Sequence, residues 1–253
     1  MIRRALRMEW TKLRTVRTST WSLACLAAFS IGPGALLVSS LGGMCPPECD
    51  ADAAQLSLAG VRLSQLAVVV LAVLTVSVEY ETTMIRTTFA AVPGRITVLA
   101  AKALALTVVV LAAGTVTMLA MFGVGRAVMP DGYPPLSLAD GPTLRAFGGT
   151  VLYLGLTALL ALGVATIVRH TAAGISLVAA LFYVVPIAAQ AIGDEHFREQ
   201  LQRYAPMSAG LAIQATKGLD DLPIGPWPGL AVLAAYAAAA LLIAAVLIRA
   251  RDA

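Results

Sequence analysis

Six long apolar blocks govern what this chain can fold into. They occupy residues 21–41, 61–78, 96–122, 144–168, 172–192 and 229–248. Each is long enough to cross a hydrocarbon core of about 30 Å, which takes roughly 20 helical residues. Lipid offers no partner to an unpaired backbone group, so a spanning segment is either a helix or part of a closed barrel. Barrel strands alternate polar and apolar residues in segments of roughly ten, whereas these blocks are continuous runs rich in Ala, Val and Leu. Only 13% of residues are charged and mean hydropathy is +0.84, against about 25% charged in soluble domains. The expected fold is therefore all-α. A polytopic membrane bundle of six transmembrane helices spans residues 21–248, an N-terminal amphipathic interfacial helix covers 1–20, and a short tail covers 249–253.

The distribution of charge orients this bundle. With both termini on one side, that side holds 12 of the 18 basic residues and 4 acids, a net of +8. The other side holds 6 basic residues against 10 acids, a net of −4. An excess of Lys and Arg marks the cytoplasmic face, so both termini are expected in the cytoplasm. The apolar block beginning at Trp21 exceeds the 7–15 residues of a signal-peptide core, and it reads as a retained first span.

Residues 1–20 carry Ile2, Leu6, Trp10, Leu13 and Val16 at helical spacing, with Arg3, Arg4, Arg7, Lys12, Arg14 and Arg17 on the remaining positions. That pattern suits an amphipathic helix lying on anionic lipid, with Trp10 and Trp21 at headgroup depth. A basic flank that only sets orientation would show the same charges. Lys102 sits close enough to the cytoplasmic end of its span to snorkel.

Pro33, between Gly32 and Gly34, falls midway through the first span, and Pro186 falls within the fifth. Each removes one helical hydrogen bond, so each is expected to kink its helix. The alanine run 237–240 in the sixth span reads as tight helix packing. The long last connection, 193–228, mixes charged and apolar stretches and is expected to form short helices that dip into the outer interface. Cys45 and Cys49 flank Pro46, Pro47 and Glu48 in a loop on the far side. They are either two unrelated thiols or a disulfide pinning that loop.

No catalytic pattern is present in the sequence. It contains no G-x-x-x-x-G-K-[ST], no H-E-x-x-H and no G-x-S-x-G. His170 and His196 have no metal-ligand spacing, and nothing suggests a nucleic-acid groove. No span carries Asp or Glu in its interior, which disfavours ion-coupled carriers. The polar segment 79–89, followed by Pro93-Gly94-Arg95, joins the second and third spans. It could present Glu79, Glu81 and Arg86 to a cytosolic partner.

That segment resembles the E-Y-x-x-G-T-I-R-x-T-L…P-x-R stretch of ABC transporter permeases of the type-2 export class. Glu79, Tyr80, Ile85, Arg86, Thr88 and Arg95 match it, while Thr83 and Met84 replace its Gly-Thr. Residues 9–21 are similar to the E-W-x-K-L-R-T-x-R-S-T-W opening of actinobacterial members. The resemblance implies a permease subunit in a bacterial plasma membrane, with no catalytic, cofactor or metal site of its own. ATP and Mg would bind a partner ATP-binding-cassette subunit. A second permease protomer, identical or not, would complete the dimer. Coupling to the ATPase would fall on Glu79, Tyr80, Glu81, Ile85, Arg86 and Arg95, and the basic helix would be the interfacial connecting helix. The expected cargo is a hydrophobic or amphipathic compound such as a drug, antibiotic, peptide or lipid. The competing readings are a secondary carrier, a non-transport membrane subunit and an intramembrane enzyme.

Overall fold

A computed structural model describes residues 2–41, 52–84, 87–88, 94–131, 136–190 and 195–250. Cys45, Cys49, Ile85 and Arg86 lie outside the described residues. Among those described, the chain is helical and has six helices long and apolar enough to cross a membrane. It is a multi-pass membrane protein.

The interfacial helix α1 is Ile2–Thr15. Extended backbone at Val16 separates it from the first span, α2, Arg17–Ser39. The short α3, Ala53–Ser57, leads through a tight turn into α4, Val61–Glu81. The third and fourth spans are α5, Arg95–Ala127, and α6, Gly141–Val168. The fifth is composite: α7, Thr171–Ala179, passes through a π-helical turn, Ala180–Val184, into α8, Val185–Gln190. After α9, Glu195–Tyr204, and α10, Pro206–Leu211, the last span is α11, Pro226–Ala250.

Several boundaries differ from those read off hydropathy. The first span begins at Arg17 rather than Trp21, and within its first turn the Thr20 hydroxyl donates to the Arg17 carbonyl at 2.7 Å. The third has 33 residues, about 50 Å at 1.5 Å per residue, and so reaches past the hydrocarbon core. α2 continues as one helix through Pro33. Pro186 follows directly on the π-helical turn.

The fourth span, α6, is the hub on which α4, α5 and α11 pack. Small residues set those approaches. A Cβ on Gly163 would lie 2.8 Å from both the Ala240 carbonyl carbon and its Cβ, so α6 and α11 touch almost backbone to backbone. The alanine run thus serves packing: Ala237, Ala240 and Ala244 are buried, while Leu242, Ile243 and Val246 face outward. At the opposite end of the bundle from the termini, the last connection folds inward. Ile213 is fully buried beside Gly149, and Gly210 lies against the Tyr153 ring. The expected short helices are present, packed into the bundle. Asp52 fastens that connection by capping α3 and accepting hydrogen bonds from the Thr216 amide (2.6 Å) and hydroxyl (2.7 Å).

Candidate functional site

α1 presents two faces. Ala5, Glu9 and Leu13, spaced by four, are buried against the bundle, while Ile2, Trp10, Arg3, Arg4, Arg7 and Arg14 are exposed. A carboxylate in the protein-facing stripe needs a partner, because an isolated buried charge is strongly disfavoured. Glu9, 0% exposed, finds it in Lys102 of α5, whose Nζ lies 3.0 Å from Glu9 Oε2. The same ammonium reaches Glu79 Oε1 at 2.7 Å and the Thr75 carbonyl of α4 at 3.2 Å. A lysine has three donors, and all three of these are used. Lys12, one turn beyond Glu9, adds a second ammonium 2.6 Å from Glu79 Oε1 and 3.7 Å from Glu9 Oε1.

Two ammoniums and two carboxylates therefore form a neutral cluster that locks α1 to α4 and α5 at the end of the bundle carrying the termini. Two expectations are corrected here. Glu79, expected to face a cytosolic partner, is 5% exposed and its carboxylate turns inward. Lys102, expected to snorkel, is 3% exposed and forms the centre of the cluster. The physical reason is common to both: helix packing buries the two side chains facing each other, and a buried charge is strongly disfavoured unless it is paired.

The neighbouring motif residues bind the same end together. The Arg169 guanidinium lies over the Tyr80 ring, 4.8 Å from its centroid. Arg169 itself takes the left-handed conformation that closes α6, with φ 59°. Glu81 is exposed and accepts the Thr171 amide at 2.9 Å, and the Thr171 hydroxyl donates to Ser77 at 2.7 Å. Arg95 Nη1 donates to the Ile248 carbonyl at the end of α11, 3.0 Å away. Glu79, Tyr80, Glu81 and Arg95 are thus joined, through different partners, to α1, α5, α6, α7 and α11. Sequence reasoning placed Lys102 at the water interface and did not pair it with Glu9, Glu79 or Thr75. The available signal was the position of Glu9, in line with Ala5 and Leu13.

A second polar network lies within the bundle, toward the opposite end. Gln65, fully buried on α4, accepts from the Tyr153 hydroxyl of α6 and donates to the Tyr183 hydroxyl at 3.0 Å and the Arg62 carbonyl at 3.0 Å. Tyr183 in turn donates to the Arg62 carbonyl. Tyr153→Phe removes the hydroxyl and leaves the Gln65 carbonyl oxygen unpaired. The expected loss is about 1–3 kcal/mol, read as a lower thermal midpoint of the purified protein. An unchanged midpoint would show that the network does not hold α4 to α6.

Among the described residues no group of three or more His, Cys, Asp or Glu is arranged to hold a metal. Compared with known protein families and with curated proteins, the chain matches none.

Proposed function

We propose that this chain is the membrane-spanning permease subunit of an ATP-binding-cassette exporter of the type-2 class. It moves a hydrophobic or amphipathic compound with ATP hydrolysed by a separate subunit. The observation that carries the reading is the buried cluster of Glu9, Lys12, Glu79 and Lys102. It ties the interfacial helix to the second and third spans directly beside the motif that the resemblance assigns to ATPase contact. A push on the 79–95 connection or on α1 reaches both spans through charge-assisted hydrogen bonds, which hold a fixed register. The Lys and Arg bias supports a bacterial plasma membrane with both termini cytoplasmic. The roles remaining for the motif residues divide by exposure. Glu81 is at the surface, where a partner can meet it, while Glu79 transmits from beneath.

The test is co-expression with a neighbouring ATP-binding-cassette ATPase, affinity purification from membranes, and assay of ATP turnover. A stable complex is expected, and Arg86→Glu is expected to uncouple hydrolysis from transport while leaving the permease folded. A chain that purifies without any ATPase sinks the proposal. The buried ionisable cluster also favours a second reading, a secondary carrier driven by an ion gradient. Carriers keep their coupling groups near the bilayer midplane, whereas this cluster sits at one end, so the permease is the better account.

A further inference from the structure

At the end of the bundle opposite the termini, a cavity of about 350 Å³ opens between α4, the fifth span and the short helices of the last connection. Its wall includes the π-helical turn Ala180–Val184. Such turns are rare and recur at functional sites. Phe182 is fully buried in that wall, while Ile187, also lining the cavity, is 64% exposed. Arg62 is the charged residue among those lining the cavity, and Gln202 and Ser208 are polar neighbours.

Arg62 breaks a local rule. It stands in the first turn of α4, where the helix dipole already presents positive potential and a cation is disfavoured. Its side chain is exposed, and no carboxylate among the described residues pairs with it. Its backbone, in contrast, is held firmly. The carbonyl accepts from Gln65 Nε2 at 3.0 Å and from the Tyr183 hydroxyl, and the amide donates to the Ala59 carbonyl at 3.2 Å. The amides on either side, of Val61 and Leu63, donate to Leu58 and Gly60 at 3.0 Å each. The first-turn amides are therefore occupied, and the guanidinium is the positive group offered to a ligand, on a fixed mount beside an apolar chamber.

From this we infer that the cavity binds a single-chain amphiphile with an anionic head. The head sits on Arg62, and the chain runs against Phe182, Ile187 and Leu211. A guanidinium meets a phosphate or carboxylate with paired hydrogen bonds, and the chamber supplies the apolar remainder. The volume lies at the lower end of the roughly 300–1,000 Å³ of small-ligand sites, which suits one alkyl chain. The site is far from the ion cluster and needs no ATPase, so this inference stands or falls separately from the proposed function.

The test uses the purified chain in phosphatidylcholine nanodiscs, with ligand adducts counted by native mass spectrometry. The probes are dodecyl phosphate and, as an uncharged head on the same tail, dodecyl maltoside. Dodecyl phosphate is expected to bind about tenfold more tightly, the worth of one charge-assisted hydrogen-bonded contact. Arg62→Gln should abolish that preference, and Arg62→Lys should keep part of it, which separates loss of charge from loss of fold. Ile187→Trp, by filling the chamber, should weaken both ligands. Equal affinity for the two probes overturns the inference. So does a preference that survives Arg62→Gln, which would trace to the basic face of α1. Displacement of dodecyl phosphate by equimolar phosphatidylglycerol would also overturn it, making a two-chain lipid the occupant.

Discussion

Lys102→Ala is expected to destabilise the protein by about 3–5 kcal/mol, the cost of removing one partner from a buried ion pair. The ammonium supplies hydrogen bonds to Glu9 Oε2 (3.0 Å), Glu79 Oε1 (2.7 Å) and the Thr75 carbonyl (3.2 Å). Without it, two carboxylates with little solvent access share Lys12, which is 29% exposed and cannot take over all three contacts. The measurement is the thermal or denaturant midpoint of the detergent-solubilised protein. A decisive control is the quadruple variant Glu9→Gln, Lys12→Gln, Glu79→Gln, Lys102→Met, which removes both carboxylates and both ammoniums. Replacing a buried ion cluster by neutral groups of similar shape is often tolerated, so this variant should recover most of the lost stability. A Lys102→Ala protein within about 1 kcal/mol of wild type would remove the cluster from the account of how α1 is held. Double-mutant cycles on the Glu9–Lys102 and Glu79–Lys102 pairs would then divide the coupling between α1 and α4.

The same two comparisons separate a stabilising role from a transmitting one. Under the proposed function, if the neutral quadruple variant folds normally and binds a partner ATPase but no longer transports, charge has been retained for register rather than for stability. If it transports normally, the spans are moved by packing alone, and the cluster is a structural anchor.

The spans were legible because length and hydropathy are nearly sufficient for a helix in lipid: with backbone groups satisfied internally, few alternatives remain. Their ends were less so. α2 starts at Arg17, before the apolar block, in a polar stretch where hydropathy carries no signal. What periodicity could not reveal was pairing across the sequence. Glu79 and Lys102 are 23 residues apart and Glu9 and Lys102 are 93 apart, and no spacing rule links such positions. Amphipathic reading of α1 took Ile2, Leu6, Trp10, Leu13 and Val16 as one apolar face, whereas Ile2, Trp10 and Val16 are exposed and Leu13 is buried with Ala5 and Glu9, a stripe that a glutamate in its middle disguised. The short helices of the last connection could be anticipated from its mixed composition. Their insertion against α6 depended on Gly149 and Gly210, whose significance appears only once Ile213 and Tyr153 are placed beside them.

The two glycines flanking Pro33 should respond oppositely to alanine, although composition treats them alike. Gly34 is buried where α2 crosses α3, and a Cβ there would stand inside the van der Waals radius of the Ser57 carbonyl oxygen. That oxygen belongs to backbone, so relief requires a helix to move. Gly60 makes the reciprocal approach, against the Ser30 carbonyl, one turn before the Ser30–Ser64 hydroxyl bond of 2.7 Å. Close packing of this kind is the main attraction between helices in lipid, so forcing α2 outward also weakens that bond. Gly34→Ala is expected to cost about 1–3 kcal/mol, the usual penalty of overpacking. Gly32, exposed and with nothing within 4 Å of its added Cβ, should tolerate alanine or gain up to about 1 kcal/mol from helix propensity. Thermal midpoints of the two single variants in one detergent decide it. A Gly34→Ala protein as stable as Gly32→Ala would mean that α2 is free to shift, and that the α2–α4 contact does not depend on the close approach at Gly34.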